Sequence, residues 1–241
     1  MVNFLILLTL HFLGDFYLQT SKIAKCKNAN IGEDCNRCSS CKEKAFFNNK
    51  YVALHSLLYA VPFLFLFFMT RWTSALIIIA TLLASHYVID TISCCLNKKL
   101  KQTLVFIVDQ VLHIAIFVVM FKLFDFNSEF EKYEFVIKII FSVSFLIIPV
   151  SVFINKLFYD LYPNSQPGKI FDVGSIIGMF ERALVLIFAS FGDFAAIAII
   201  ITIKTWARSN DLKDPEFRNK YLLGTLASLV LALIAFLIYR L

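Results

Sequence analysis

Long runs of apolar residues, each broken by few polar positions, dominate this chain. Eight runs are predicted to form membrane-spanning helices, since about 20 apolar residues cross about 30 Å of hydrocarbon as a helix. They lie roughly at 2–20, 51–70, 73–96, 104–124, 134–156, 173–191, 193–208 and 221–239. The runs lack the alternation and the short, regular segments of an outer-membrane barrel. The pattern therefore predicts an all-α, polytopic transmembrane helical bundle of about eight segments.

The sixth and seventh runs are the weakest, because they are short and contain charged residues. Either can be re-entrant, or the two can form a helical hairpin around Gly192 and Asp193. The expected number of crossings is therefore six to eight. The first run is expected to be a mature helix, because no basic stretch precedes it and no small-residue cleavage site follows it. We expect one transmembrane domain over 1–241, with a loop at 21–50 inserted within it.

Composition and charge agree with a membrane protein. The chain is 59% hydrophobic, contains 27 Phe and has only 17% charged residues. Lys and Arg collect in the loops around 21–50, 98–101 and 208–220, and such loops stay on the cytoplasmic side. Both termini are therefore expected to face outward. The same distribution explains the net charge of +6 without a nucleic-acid partner.

All four histidines lie inside or at the edge of apolar runs, and three have an aspartate four residues away. The pairs are His11 with Asp15, His86 with Asp90, and Asp109 with His113, and the fourth histidine is His55. A spacing of four places both side chains on one helix face. At about 1.5 Å of rise per residue, these groups fall at a common depth in the cytoplasmic leaflet. Ionisable groups at membrane depth are costly and indicate function.

Two interpretations of this cluster compete. In the first, His11, His55, His86 and His113 supply ligands to zinc or another divalent metal, and Asp15, Asp90 and Asp109 ligate, orient imidazoles or act as general base. In the second, the groups form a metal-free network that relays protons or fastens the helices together. The recurrence of the pairs at one depth favours the metal site.

The same residues carry a resemblance to a known family. The stretches HFLGDFYLQT at 11–20, HYVID at 86–90 and DQVLH at 109–113, with His55 between the first two, resemble the ordered motifs of an uncharacterised bacterial and phage membrane family, domain of unknown function 3307. The match covers mainly residues 1–125, and the segments at 181–182, 204–208 and 224–228 are similar with less specificity. The resemblance implies that the spacings recur, and it implies a bacterial inner membrane. It implies no activity.

A second chemical signal is a group of four cysteines in the predicted cytoplasmic loop, outside the family pattern. They are Cys26, Cys35, Cys38 and Cys41. A reducing compartment disfavours disulfides and leaves thiolates for a soft metal. A closed zinc site is the best interpretation, with an iron–sulfur cluster, free thiols, or disulfides in an inverted topology as alternatives.

Four charged residues in the sixth and seventh runs are candidates for substrate binding: Glu181, Arg182, Lys204 and Arg208. Glu181 and Arg182 are adjacent and point in different directions, so each needs its own partner. Lys204 and Arg208 share a helix face and can simply extend to the membrane interface. In the functional interpretation, the cations hold an anionic headgroup or a phosphate.

Together these features predict a membrane-embedded, metal-dependent hydrolase, with zinc as the expected metal, acting on a lipid or lipid-linked substrate at the cytoplasmic leaflet. The alternatives are a metal-ion or proton-coupled transporter, and a scaffold or effector subunit that docks a cytoplasmic partner through the 21–50 loop. Membrane lipids are expected partners in each case, and a homo-oligomer is left open. A transporter is expected to show an inverted repeat, whereas here the histidine and aspartate pairs are confined to the first 113 positions.

Overall fold

The computed structural model describes residues 1–21, 23–24, 50–97, 99–162 and 171–240. Within these residues the regular elements are helices and no strand is present, which confirms the all-α prediction. The chain divides into two compact units, Met1–Ile137 and Lys138–Leu241, called unit 1 and unit 2 below. The prediction of one domain over 1–241 stays a prediction. Most of the inserted loop at 21–50 lies outside the described residues.

The described residues contain eight α-helices. They are α1 (Val2–Phe12), α2 (Lys50–Ala60), α3 (Trp72–Leu96), α4 (Gln102–Leu123), α5 (Glu134–Leu161), α6 (Val173–Ser190), α7 (Phe194–Ala207) and α8 (Pro215–Arg240). A π-helical turn, Leu13–Tyr17, continues α1, and 3-10 turns occur at Pro62–Phe68, Glu129–Tyr133 and Asp211–Lys213. Pro62 has no N–H to continue the α-helical ladder, so α2 ends just before it and the chain continues in the tighter winding.

Six helical stretches in the described part of the chain are long and apolar enough to cross a membrane. They are Lys50–Phe68, Trp72–Leu96, Gln102–Leu123, Glu129–Leu161, Val173–Ser190 and Pro215–Arg240. Two apolar stretches, Val2–Tyr17 and Phe194–Ala207, are shorter. The polytopic helical fold and the range of six to eight segments are thereby confirmed. Helix α6, in the sixth run, is the shortest of the six at 18 residues, and the apolar stretches of the first and seventh runs are shorter still.

Unit 1 has a cluster of polar side chains within a largely apolar interior, and its exterior is apolar as well. Helix α1 packs against α4, α2 packs against α3, and α3 packs against α4. At their centre His86 is 0% exposed, whereas Phe68 and Trp72 are each 68% exposed. Apolar side chains that face outward cost nothing in lipid, and buried polar groups need partners. The folding of unit 1 therefore depends on how its buried polar groups satisfy one another.

Unit 2 is a bundle in which α6 packs against α7 and most extensively against α8. Its core includes Val150, Val185 and Ala232. Helices α6 and α7 are joined by a tight turn in which Gly192 has a φ of 74°, a conformation that suits glycine. The Asp193 carboxylate then accepts a hydrogen bond from the Ala196 N–H at 3.0 Å. The predicted turn at these two residues is confirmed.

Candidate metal centre

The seven histidines and aspartates singled out in the first 113 residues meet in the interior of unit 1. None is more than 9% exposed: His11, Asp15, His55, His86, Asp90, Asp109 and His113. They are contributed by α1 and its π-helical turn, by α2, by α3 and by α4. The sequence therefore identified the members of one buried cluster.

Gly14 allows the π-helical turn that continues α1 to approach α2. A Cβ at Gly14 would lie 2.6 Å from the carbonyl oxygen of Tyr59 and 2.9 Å from its Cδ2, so only hydrogen fits there. Asp15 follows Gly14 within the π-helical turn Leu13–Tyr17. This winding, which is frequent at functional sites, directs the carboxylate of Asp15 toward α2 and α4.

One side of the cluster is a chain of alternating carboxylates and imidazoles. His55 Nε2 lies 3.1 Å from Asp15 Oδ1 and 3.6 Å from Asp90 Oδ2. The same Asp90 oxygen lies 3.5 Å from His86 Nε2. Asp90 therefore stands between two imidazoles, one on its own helix and one on α2.

The other side of the cluster returns to Asp15. His86 Nδ1 lies 2.7 Å from His113 Nε2, and His113 Nδ1 lies 3.5 Å from Asp109 Oδ2. The amide of Gln110 donates to Asp109 Oδ2 at 3.1 Å and to Asp15 Oδ2 at 3.0 Å. The circuit is closed. We call it the His–Asp loop, and its members are Asp15, His55, Asp90, His86, His113, Asp109 and Gln110.

His11 supports this loop from one side. Its Nε2 lies 3.1 Å from Gln110 Oε1 and its Nδ1 lies 3.2 Å from the Tyr59 hydroxyl. An amide oxygen only accepts, so His11 Nε2 carries the hydrogen and Nδ1 accepts from Tyr59. Both nitrogens of a neutral imidazole are thereby used, and His11 fixes the orientation of Gln110.

Hydrogen-bond donors can be assigned at the opposite side as well. His113 Nδ1 lies 2.9 Å from the backbone carbonyl of Asp109, which only accepts, so this nitrogen carries a hydrogen. A neutral His113 then accepts at Nε2, and His86 must donate to it from Nδ1. A neutral His86 is left with a lone pair at Nε2, and that lone pair faces the Asp90 carboxylate. With both imidazoles neutral, two acceptors therefore face each other, and either a proton on one of them or a bound cation resolves the conflict.

The spacing of these atoms suits a small metal ion. Two groups offer ligand atoms within 4.8 Å of one another: Asp15, His55 and His86, and His86, Asp90 and His113. In a tetrahedral zinc site with bonds near 2.1 Å, ligand atoms lie about 3.4 Å apart. The contacts of Asp90 with His55 and His86, at 3.6 and 3.5 Å, approach that value. His11 and Asp109 belong to neither group, so their predicted roles as ligand and general base stay predictions.

The sequence analysis gave no role to three residues of the site: Gln110, Tyr59 and Ser93. Gln110 closes the loop, and the Ser93 hydroxyl donates to Asp109 Oδ1 at 2.6 Å. Each carried a signal. Gln110 is a polar residue within an apolar helix, Tyr59 follows His55 by four positions, and Ser93 follows Asp90 by three.

The charged residues singled out in unit 2 have separate partners, as expected for adjacent side chains. Lys204 Nζ bonds Glu181 Oε2 at 2.6 Å, and Arg208 bonds Asp211 at 3.2 Å at an exposed position. Arg182 is 3% exposed, and the acceptors it bonds among the described residues are neutral; they are described below. The assignment of Glu181, Arg182, Lys204 and Arg208 to substrate binding stays a prediction.

The cysteine group cannot be placed. Cys26, Cys35, Cys38 and Cys41 lie outside the described residues, so the zinc or iron–sulfur assignment stays a prediction. Cys94 and Cys95, near the end of α3, are half-buried.

Comparisons with known proteins give one match. A family model described as Protein of unknown function (DUF3307) matches residues 3–37 and 33–141. Neither the curated proteins nor the solved structures gave a match. The matched region spans more than half of the chain and contains the whole His–Asp loop. The chain therefore belongs to the DUF3307 family of proteins of unknown function.

Proposed function

We propose that unit 1 holds a divalent cation, zinc by its donor set, in the His–Asp loop, and that the protein is a membrane-embedded hydrolase of a lipid or lipid-linked substrate. The observation that carries the proposal is the contact between His86 Nε2 and Asp90 Oδ2. With both imidazoles neutral, donor assignment leaves two acceptors facing each other there, and His55 and Asp15 lie beside them. Imidazole nitrogens and carboxylate oxygens are the ligands that zinc takes in catalytic sites.

Charge balance supports a cation in this position. Three carboxylates, those of Asp15, Asp90 and Asp109, are each at most 9% exposed. Burial of ionised carboxylates is costly unless positive charge lies nearby. A divalent cation offsets two of these charges, and the two donors that reach the Asp109 carboxylate, from Ser93 and Gln110, stabilise the third.

The geometry suggests a role for each side chain. His55, His86 and Asp90 are the proposed ligands. His113 accepts from His86 Nδ1 and fixes the ring, as partners of ligating histidines commonly do. Asp15, held on its second oxygen by Gln110, is the proposed general base. Zinc supplies, when bound, an acidified water at neutral pH, and Asp15 is positioned to take its proton.

A second candidate function is favoured by the closure of the loop. All its aspartates and histidines are at most 9% exposed, and consecutive members lie 2.7 to 3.6 Å apart. Such a continuous path suits the passage of a proton or a metal ion without any bond being broken in a substrate. The third alternative, a scaffold, rests on the loop at 21–50, outside the described residues.

Metal content of detergent-purified protein tests the first step. We expect one equivalent of zinc, measured by mass spectrometry, to be lost in His86→Ala and retained in His11→Ala, because both nitrogens of His11 are already committed. A variant with serine at positions 26, 35, 38 and 41 distinguishes metal bound by the cysteine loop from metal bound in the His–Asp loop. Absence of metal from the wild-type unit 1 site would overturn the hydrolase proposal.

Activity assays then separate the candidates. Hydrolysis of labelled lipids in vesicles that contain the protein, lost in His86→Ala and in Asp15→Asn, supports the hydrolase. Metal-ion or proton flux across the same vesicles without lipid turnover supports the transporter.

We also propose a bacterial inner membrane with the site in the cytoplasmic leaflet and both termini outside, as the loop charges favour. Alkaline phosphatase fused after Arg240 is expected to be active, since this enzyme requires the periplasm. An inactive phosphatase fusion, together with a fluorescent green fluorescent protein fusion at the same position, would contradict this orientation.

A further inference from the structure

We propose that unit 2 contains a separate binding site for an anionic amphiphile, whose oxyanion lies against Arg182 and whose apolar part fills a cavity between α5, α6, α7 and α8. This inference does not depend on the metal centre of unit 1. It rests on the shape of the cavity, on the uncompensated charge of Arg182 and on the glycines that leave space beside it.

The cavity has a volume of about 680 Å³, a size typical of small-molecule sites. Its walls are mainly apolar and include Ile154, Ile177 and Ile200. On α8 it extends from Phe217 to Ser228, about 16 Å along the helix axis at about 1.5 Å per residue. The cavity is therefore long enough to take an apolar group together with a polar head.

Arg182 lies at the inner part of this cavity as a buried cation. Its Nε donates to the Leu146 carbonyl at 2.8 Å, its Nη1 to Ser228 at 3.0 Å and its Nη2 to Ser151 at 2.7 Å. Among the described residues these acceptors, with a longer contact to Ile147, are all neutral. Its hydrogen bonds are largely satisfied, but none of them is to a carboxylate. The adjacent Glu181 acts on its charge at longer range and is already bonded to Lys204.

The other cations that line the cavity already have carboxylate partners. Lys204 bonds Glu181 at 2.6 Å, Arg208 bonds Asp211 at 3.2 Å, and Lys220 bonds Glu216 at 2.6 Å. Within the described part of unit 2, Arg182 is therefore the cavity-lining cation that has no hydrogen bond to a carboxylate. A buried, unbalanced charge is costly, and an anionic ligand removes that cost.

Gly178 lets the guanidinium lie close against α6, and Gly174 leaves space in the cavity for a ligand. A Cβ at Gly178 would lie 3.3 Å from Arg182 Nη1. Among the described residues Ser228 is the acceptor bonded to Nη1, so the second N–H of this nitrogen remains for a ligand oxygen. A Cβ at Gly174 would meet only Asp172 Oδ1, at 3.6 Å, so a larger side chain at 174 extends into the cavity without displacing a neighbour.

These features together define the ligand class. One uncompensated positive charge selects a singly charged oxyanion, and the apolar walls select an attached hydrocarbon chain. The phosphodiester of an anionic phospholipid meets both requirements, and the surrounding bilayer supplies it. A zwitterionic lipid meets only the second requirement.

Lipid titration of the full-length protein in a neutral maltoside detergent tests the proposal, with native mass spectrometry as the readout. Phosphatidylglycerol is expected to bind one to one, and phosphatidylcholine is expected to bind about tenfold more weakly, because it provides no net charge to Arg182. Arg182→Gln and Gly174→Leu are each expected to raise the Kd for phosphatidylglycerol at least about tenfold. Gly174→Leu leaves the Arg182 hydrogen bonds intact, so it remains informative if Arg182→Gln does not fold.

Arg218→Gln is the matched control, because it removes one positive charge from an exposed residue of α8 that does not line the cavity. Its affinity is expected to equal that of the wild type. Equal binding of the two lipids, or unchanged binding in Gly174→Leu, would overturn the proposal. Displacement of the bound lipid by inorganic phosphate at the same concentration would overturn the amphiphile assignment, since it would show that the apolar part contributes nothing.

Discussion

The ring of Tyr59 lies flat against the imidazole of His86, with 3.7 Å between ring centroids and 4° between ring planes. The same tyrosine bonds His11 through its hydroxyl at 3.2 Å. Tyr59 therefore fixes the plane of a proposed ligand with its ring and the orientation of a supporting histidine with its oxygen.

These two functions of Tyr59 can be separated by substitution. Tyr59→Phe keeps the stacked ring and loses one hydrogen bond, so we expect a destabilisation of about 1 to 2 kcal/mol with metal retained. Tyr59→Ala also removes the buried ring and leaves a cavity, which costs about 3 to 5 kcal/mol. Unfolding in mixed detergent micelles, with metal analysis in parallel, measures both. Equal stability of the two variants would show that the stacked ring contributes nothing.

Gln110 is predicted to be as important to the site as the histidines. Gln110→Leu removes the donors to Asp15 and Asp109 and the acceptor of His11, so a loss of about 2 to 4 kcal/mol is expected. Gln110→Glu keeps the shape but adds a carboxylate between two others, and it is expected to be at least as unstable. The control is Gln102→Leu, the same change in the first turn of α4. A stable Gln110→Glu variant would argue against ionised carboxylates at both neighbouring positions.

The close approach at Gly14 gives a third prediction. Gly14→Ala places a methyl group 2.6 Å from the Tyr59 carbonyl oxygen, so α1 and α2 must separate, at a cost of about 1 to 3 kcal/mol. Gly174→Ala is the control, because its Cβ meets nothing closer than 3.6 Å and alanine favours the helix by about 1 kcal/mol. The two variants should shift the unfolding midpoint in opposite directions. A neutral Gly14→Ala variant would mean that the two elements have room to separate.

Burial should decide the strength of two ion pairs that have the same length. Lys204–Glu181 and Lys220–Glu216 are both 2.6 Å, but the Glu181 side chain is 18% exposed and that of Glu216 is 67% exposed. We expect a coupling energy of about 1 to 2 kcal/mol for the first pair and about 0.5 kcal/mol or less for the second. Double-mutant cycles with Lys→Met and Glu→Gln measure both. Similar values for the two pairs would contradict the role assigned to burial.

The four-residue spacing between histidine and aspartate predicted the contacts within regular α-helices. It did not predict the contacts at the site where the helix changes to a π-helical turn. The pairs His86–Asp90 and Asp109–His113 are each 3.5 Å apart, as regular α-helices require. Around Asp15 the chain changes to a π-helical turn, which alters the angular spacing of residues four apart. His11 and Asp15 are consequently linked through Gln110. The residues of the site were predictable, whereas this link was not.

Contacts between helices were beyond prediction from a single sequence. The 2.7 Å contact of His86 with His113 and the 3.1 Å contact of His55 with Asp15 depend on how each helix is rotated about its axis. Side-chain packing sets that rotation. Likewise, nothing in the sequence indicated that Arg182 would donate to the Leu146 carbonyl of α5.

Every side chain of the His–Asp loop lies before residue 114, within a unit that ends at Ile137. Synthesis proceeds from the N-terminus and domains commonly fold in that order. All the proposed metal ligands are therefore in the membrane before α6, α7 and α8 have been made. The proposed metal can accordingly bind during translation and would then hold the first four helices together. The cavity of unit 2 is completed only when α8 is inserted.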